Sequence, residues 1–194
     1  MKLVIIKYNA GNIRSVSFAL ERLGIDFAIS DDPEQIMRAD KVIFPGVGEA
    51  STTMRYLRER NLDRVITELK QPVLGICLGM QLMCKHSEEN DTRCLGIFDQ
   101  EVKQFVPGGD MKVPHMGWNQ LLVKKSWLDP ALNSRDVYFV HSYYIPVNEN
   151  TSAVTNYTLQ FSAAMQRNNF YAVQFHPEKS AAAGELVLKS FLQL

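Results

Sequence analysis

The nine residues Val73-Leu74-Gly75-Ile76-Cys77-Leu78-Gly79-Met80-Gln81 constrain this chain more than any other stretch. An apolar run from Pro72 to Ile76 ends at Cys77, and a helix-compatible run from Leu78 to Cys84 begins directly after it. Glycines stand two residues before the cysteine and two after it. This is the cysteine counterpart of the Gly-x-Ser-x-Gly elbow, a sharp strand-to-helix turn that presents a nucleophile. A side chain at either glycine would crowd the helix against the strand. The helix N-terminus offers unpaired N–H groups and the positive end of a dipole, which stabilise a thiolate. A buried structural cysteine satisfies the elbow pattern equally well.

A second segment favours the nucleophile. Phe170 to Phe175 is aromatic and β-branched and reads as a strand, which Pro177 stops from continuing. In extended chain, residues two apart point the same way, so His176 and Glu178 can lie side by side. Cys77, His176 and Glu178 then supply nucleophile, base and orienting carboxylate. Taken alone, His176-Pro177-Glu178 would read as a surface turn.

The order of elements predicts the fold. Leu3 to Ile6 is a continuous apolar run, as expected of a strand buried on both faces. Ile13, Val16, Leu20 and Leu23 recur at helical spacing up to Gly24, and Ile25, Phe27 and Ile29 alternate as a second strand. Asp31-Asp32-Pro33-Glu34 opens a short helix, and Lys41 to Phe44 is a third strand. Leu62, Val65, Ile66 and Leu69 mark a helix ending near Lys70, and Val73 to Ile76 is a fourth strand. From Glu101 on, strand-like stretches follow closely: Glu101 to Val106, Asn119 to Val123, Val137 to Tyr144, Thr158 to Met165 and Phe170 to Phe175. Glu185 to Leu194 closes as a helix. The expectation is an α/β fold in one domain spanning 1–194. Its central, mostly parallel sheet is flanked by helices, with antiparallel strands added in the C-terminal half. Ligands of such sheets bind beyond the carboxyl ends of the strands, where Cys77 and the loop after Phe44 both fall.

Bulk properties exclude several classes. Lys plus Arg and Asp plus Glu both number 21, so there is no net charge to suggest nucleic acid or an anionic membrane as partner. No apolar run approaches a transmembrane span, and Met1 to Ile6 is too short for a signal-peptide core. Three scattered cysteines are no disulfide framework, which points to a reducing, cytoplasmic setting. No Cys/His pair has zinc spacing, and neither a metal nor another cofactor is expected. Cys84, Cys94 and His86 read as bystanders.

Pro45-Gly46-Val47-Gly48 follows a strand and precedes a helix. Its glycines allow a sharp turn that exposes N–H groups, and with the Leu78 N–H these could hold an oxyanion. A plain turn is the alternative. A phosphate loop is not, since the G-x-x-x-x-G-K-[ST] pattern is absent.

Taken together, Pro45-Gly46-Val47-Gly48, Gly75 to Gln81 and His176-Pro177-Glu178 resemble the class I, triad-type glutamine amidotransferases, which have a flavodoxin-like fold. Three more segments are similar to the glutaminase subunit of imidazole glycerol phosphate synthase, an enzyme of histidine biosynthesis. They are Tyr8 to Val16, Val113-Pro114-His115-Met116-Gly117-Trp118-Asn119 and Tyr138 to Tyr143. The family usually has Asp-Tyr-Gly where this chain has Lys7-Tyr8-Asn9, and Thr is frequent where Ser142 stands. The resemblance implies hydrolysis of L-glutamine through a thioester on Cys77, with Gly46, Val47 and Leu78 at the oxyanion hole. It implies a glutamine pocket built by Gly48, Gln81, Glu89, His141, Ser142 and Tyr143. It also implies a (β/α)8-barrel cyclase partner that receives the ammonia, met through Met116, Trp118 and Asn119, with Tyr138 and Lys179 along the route. Other amidotransferase glutaminases share the triad, and a stand-alone cysteine γ-glutamyl hydrolase is a further alternative.

Overall fold

The computed structural model describes residues 1–8, 12–107, 112–124 and 127–194. Residues 9–11, which include part of the Lys7-Tyr8-Asn9 departure, lie outside them. Among the described residues, fourteen strands and six α-helices alternate at first and then give way to strands. In chain order the first part runs β1 (Leu3–Ile6), α1 (Ile13–Arg22), β2 (Phe27–Ser30), α2 (Pro33–Met37), β3 (Lys41–Phe44), α3 (Ala50–Glu59), α4 (Leu62–Glu68), β4 (Val73–Ile76) and α5 (Leu78–Leu82). The second part runs β5 (His86–Ser87), β6 (Thr92–Arg93), β7 (Glu101–Gln104), β8 (His115–Gln120), β9 (Leu122–Val123), β10 (Asp136–His141), β11 (Tyr143–Tyr144), β12 (Thr151–Asn156), β13 (Gln160–Arg167), β14 (Phe170–Val173) and α6 (Ala181–Leu192).

The main sheet has the order β2-β1-β3-β4-β14-β13-β12-β9. Its first five strands are parallel and the last three antiparallel. Strands β1, β3 and β4 are buried along their whole length, which is why they are written as unbroken apolar runs. Two apolar layers sandwich the sheet, one beneath α3, α4 and α5, the other beneath α1 and α6. The added strands lie both on the sheet and beside it: β10 pairs with β8, and β11, β7, β5 and β6 form a small sheet of their own.

Several boundaries differ from the sequence expectation. The stretch from Asn119 to Val123 is not one strand: the chain turns at Leu121, whose N–H bonds the Arg135 carbonyl, and β8 and β9 join different sheets. The last helix starts at Ala181, four residues before Glu185, because Ser180 already accepts the Gly184 N–H. The helices predicted to reach Cys84 and Lys70 end at Leu82 and Glu68. Strand β12 has no counterpart in the sequence expectation. Among the described residues, no helix is long and apolar enough to cross a membrane.

Candidate active site

Cys77 sits between β4 and α5 with φ 53° and ψ −109°, a strained conformation for a non-glycine residue. The flanking glycines make the turn possible. A Cβ on Gly79 would lie 2.1 Å from the Phe44 carbonyl oxygen, and one on Gly75 would lie 3.1 Å from the Gly79 backbone. The elbow therefore presses α5 directly onto β3 and β4. The Cys77 N–H is held by the Val173 carbonyl at 2.8 Å, which ties the elbow to β14.

That strand leads to His176. Its Nδ1 lies 2.8 Å from Glu178 Oε1, and both side chains are fully withdrawn from solvent. The pair meets differently from the extended arrangement expected. Pro177 opens a one-turn 3-10 segment, Pro177–Lys179, closed by the Lys179 N–H on the His176 carbonyl at 3.0 Å. Two further contacts hold this turn. Ser180 Oγ donates to the His176 carbonyl at 2.7 Å and accepts the Tyr138 N–H at 2.9 Å. Helix α6 crosses so closely that a Cβ on Gly184 would fall 1.8 Å from the Pro177 carbonyl oxygen.

Burial disfavours a charged His176, but the charge of Cys77, a hydrogen-bonding interaction with its sulfur, and Glu178 outweigh it. The imidazole pKa is pushed up to about 10, so the ring holds its second proton at neutral pH. His176 Nε2 nevertheless completes no geometrically sound hydrogen bond, so charge at the Cys77 sulfur raises the ring's pKa more than a formed bond does. Asn12 donates from Nδ2 to Glu178 Oε1 at 3.2 Å. This asparagine occupies the N-cap of α1, yet its Oδ1 accepts no capping bond there and has no other partner; only its Nδ2 is used, on the carboxylate.

The other side of the sulfur faces the Gly46 turn. The Leu78 N–H, assigned to the oxyanion hole, already donates to the Gly46 carbonyl at 3.3 Å. The Gly46–Val47 peptide thus turns its oxygen, not its N–H, toward the elbow. Gly46 can approach this closely only because it lacks a side chain: a Cβ would lie 2.7 Å from Gly79 N and 2.8 Å from Leu78 Cβ.

A cavity of about 300 Å3 opens over the thiol. It brings together Val47, Gly48, Cys77, Leu78, Gln81, Glu89, His141, Ser142, Tyr143 and His176, and adds Pro114 and Val140. Gly46 and Glu178 lie behind this wall. Glu89 is held by the Ala50 N–H at 2.8 Å, and burial raises its pKa against that bond. Gln81 Nε2 donates to the Tyr143 carbonyl at 3.0 Å and to Gln174 Oε1 at 2.9 Å, while Gln174 Nε2 contacts Cys77 Sγ at 3.7 Å.

The wall at His141 is part of a directed chain. A carbonyl only accepts, so His141 Nδ1, 2.7 Å from the Tyr143 oxygen, carries its proton. His141 Nε2 must then accept from His115 Nδ1 at 3.0 Å, which leaves His115 Nε2 to accept from Asn119 Nδ2 at 3.3 Å. Burial keeps both rings neutral, with pKa values down at about 4 for His115 and about 3 for His141.

The residues expected at a partner surface gather on one face. Met116 and Trp118 are 62% and 55% exposed, so Trp118 is not a core residue; the buried tryptophan is Trp127. Trp118 pairs across strands with Tyr138, ring centroids 5.9 Å apart, and Lys179 Nζ lies 5.8 Å from the Tyr138 ring. Asn119 points inward, into the His115 chain. Cys84 and Cys94 are buried free thiols with pKa values raised by burial. Among the described residues no group of three or more His, Cys, Asp or Glu side chains could hold a metal ion.

Asn12 and Gln174 are the contacts that motif reading overlooked. A glutamine inside an otherwise apolar strand run was the available signal for Gln174; nothing local marked Asn12.

Residues 5–193 match the family model described as glutamine amidotransferase class-I. A Bacteroides fragilis (strain YCH46) protein named imidazole glycerol phosphate synthase subunit HisH is 60% identical over 100% of both chains. One of the same name from Idiomarina loihiensis is 45% identical over 100% of this chain and 98% of its own. A solved putative GMP synthase component from Thermoplasma acidophilum superposes with a TM-score of 0.74 at 21% identity, covering 100% of this chain and 93% of the other. PurLQS from Thermotoga maritima superposes with 0.72 at 16%, covering 99% and 97%. At such identities the structural likeness is one of fold. The family match spans nearly every residue, and with these relatives it establishes that the chain belongs to the class-I glutamine amidotransferases.

Proposed function

We propose that this chain is the glutaminase subunit of an imidazole glycerol phosphate synthase, acting as one domain over 1–194 in the cytoplasm. The observation that carries the reading is Cys77 on its elbow in one cavity with His176, itself bonded to Glu178. The name of the 60% identical relative supports the assembly.

In this reading His176 takes the Cys77 thiol proton as the sulfur attacks the side-chain amide carbon of L-glutamine. The C–N bond breaks, ammonia leaves with that proton from His176, and a thioester remains on Cys77. Water then attacks the thioester carbon and gives a proton to His176. The C–S bond breaks, glutamate leaves, and His176 returns the proton to the Cys77 sulfur. Glu178 holds the His176 ring and stabilises its charge. Glu89 faces the substrate ammonium, and Gly48, Gln81, His141, Ser142 and Tyr143 shape the pocket around the amino-acid end. The oxyanion donors are the Leu78 and Val47 N–H groups. Both become available when the Gly46–Val47 peptide turns over and the Gly46 carbonyl releases Leu78, a rotation glycine permits. Removing one such donor costs about 10²–10³-fold in kcat in acyl-transfer enzymes, so this peptide is a strong switch.

Free ammonia is useful only where a second site captures it. The face formed by Met116, Trp118, Tyr138 and Lys179 is the proposed docking surface for a (β/α)8-barrel cyclase, with Asn119 behind it. Exposed Trp and Tyr are typical interface anchors. Strand β10 links this face to the thiol: the Tyr138 carbonyl accepts the His176 N–H at 2.9 Å, and the Val140 carbonyl lies 3.9 Å from Cys77 Sγ.

The test is a Cys77→Ala chain assembled with the barrel subunit. Glutamine-dependent synthesis is expected to vanish while ammonia-dependent synthesis continues. Retention of the first, or loss of both in a folded complex, overturns the reading.

A further inference from the structure

Gly46 can switch only if the chain before it stays still. If the whole Pro45–Val47 strand moved, a turned peptide would not bring its N–H to the oxyanion. Two features hold the near side of that hinge. The Pro45 ring locks its own φ. The Tyr8 hydroxyl donates to the Pro45 carbonyl, the oxygen of the peptide immediately before Gly46. Tyr8 follows β1 and is 5% exposed, and its ring packs against Phe44 with centroids 5.5 Å apart. The hydroxyl is thus rooted in the sheet next to β3, which delivers the strand. It also lies against the moving residue: a Cβ on Gly46 would be 2.7 Å from Tyr8 Oη.

We propose that Tyr8 is a positioning residue of the oxyanion strand: its hydroxyl pins the Pro45–Gly46 peptide so that only the Gly46–Val47 peptide turns. This rests on the glutaminase reading above and adds to it a residue outside the triad, the pocket and the oxyanion donors. Tyr8 touches neither substrate nor the reacting atoms in this role. It acts through Pro45. Burial, and secondarily the charge at Cys77, raises the Tyr8 pKa, so the hydroxyl keeps its proton and remains a donor. Without it the buried Pro45 carbonyl has lost its partner, and the strand shifts to find water. The Val47 N–H then turns over at the wrong place.

The experiment uses Tyr8→Phe, which keeps the ring and removes only the hydroxyl, in the complete complex with the barrel subunit, loaded with its nucleotide ligand. Glutamine hydrolysis is expected to lose about tenfold in kcat, a fraction of a full oxyanion donor, with KM within twofold. The rate of Cys77 alkylation by iodoacetamide needs no oxyanion hole and is expected to be unchanged. Unchanged kcat, or a loss matched by slower alkylation, overturns the proposal. Pro45→Ala is the second variant, should Tyr8→Phe not fold. It frees φ at the same peptide with the hydroxyl retained, and the same kcat-only signature is expected; wild-type kinetics would overturn the hinge. A wild-type complex that hydrolyses no glutamine fails the glutaminase reading itself, a result distinct from all of these.

Discussion

His176 on the turn after β14 and the His115–His141 pair behind the pocket are buried alike, at 0%, 3% and 6% exposure, yet they hold opposite charge states. Desolvation acts on all three in the same direction. The difference lies in the partners. His176 meets the Glu178 carboxylate and the Cys77 sulfur, and its pKa rises to about 10. His115 is stacked between Phe139 and Tyr157, with centroids 4.7 and 4.0 Å away, and meets only His141 and an amide. His141 meets a backbone carbonyl and His115. Neutral partners do not offset the cost of burying a cation, so these rings settle at about 4 and 3. Burial therefore does not fix a histidine's role in this molecule; the nearest anion does. In the proposed function the charged ring moves protons, whereas the neutral pair holds a carbonyl.

The sharpest way to break this contrast is to take the anion from His176. Glu178→Gln keeps the shape of the turn but offers the ring a neutral oxygen or an N–H donor. The kcat for glutamine is expected to fall on the order of 10³–10⁴-fold, the range lost when a triad's orienting carboxylate is neutralised. A complex retaining activity within tenfold would mean that Cys77 alone holds the charge on His176. The neutral pair is probed by His141→Leu, which strands the His115 Nδ1–H and leaves the Tyr143 carbonyl held by Gln81 Nε2 alone. The orphaned donor costs about 1–3 kcal/mol, readable in urea unfolding. Because Tyr143 lines the cavity, KM for glutamine is expected to rise about tenfold, the effect of about 1.4 kcal/mol in binding, with kcat changed less. A kcat loss as large as that of Glu178→Gln would put His141 in the proton chemistry and end the contrast.

How much of this was legible in sequence follows from how local each feature is. The elbow was, because Gly75 and Gly79 lie within two residues of Cys77 and their constraint acts across one turn. Strands β1, β3 and β4 were, because burial on both faces writes them as apolar runs. Strand β12 was not. It reads Thr-Ser-Ala-Val-Thr-Asn, and two of its three hydroxyls find partners, Thr151 Oγ1 with Ser162 Oγ at 2.8 Å and Thr155 Oγ1 with the Gln120 carbonyl at 2.9 Å, while the buried Ser152 Oγ has none. The His176–Glu178 contact was legible although its backbone was not, since a 3-10 turn brings the two side chains together as well as an extended chain would. The Gly46 carbonyl on Leu78, Asn12 on Glu178 and His115 on His141 join residues 32, 166 and 26 apart, and no local pattern encodes them. Gly184 belongs with these: only the crossing of α6 over Pro177 explains it.

The mildest probe of the contrast is pH. A histidine whose pKa is lowered on folding leaves the native state with fewer protons than the unfolded chain, so stability falls as pH drops below the unfolded value of 6.5. His115 and His141 each contribute up to about 1.4 kcal/mol per pH unit to that fall, ending near 4 and 3 respectively. His176 contributes nothing to it: below 6.5 the ring is protonated in both states, since its native pKa is about 10. Glu49, held down to about 2 chiefly by backbone N–H groups against burial, adds an acid loss only as the unfolded carboxylate titrates near 4.5. Between pH 6.5 and 5 the neutral pair drives the loss, while Glu89, whose pKa burial raises, takes up protons in the folded state and offsets part of it; comparison with a His115→Gln chain removes that shared contribution. Urea unfolding across this window is expected to show wild-type stability dropping, and a His115→Gln chain dropping by roughly half as much. Equal slopes in the two would mean that His115 takes up its proton in the folded protein and that the carbonyl-holding chain carries charge after all.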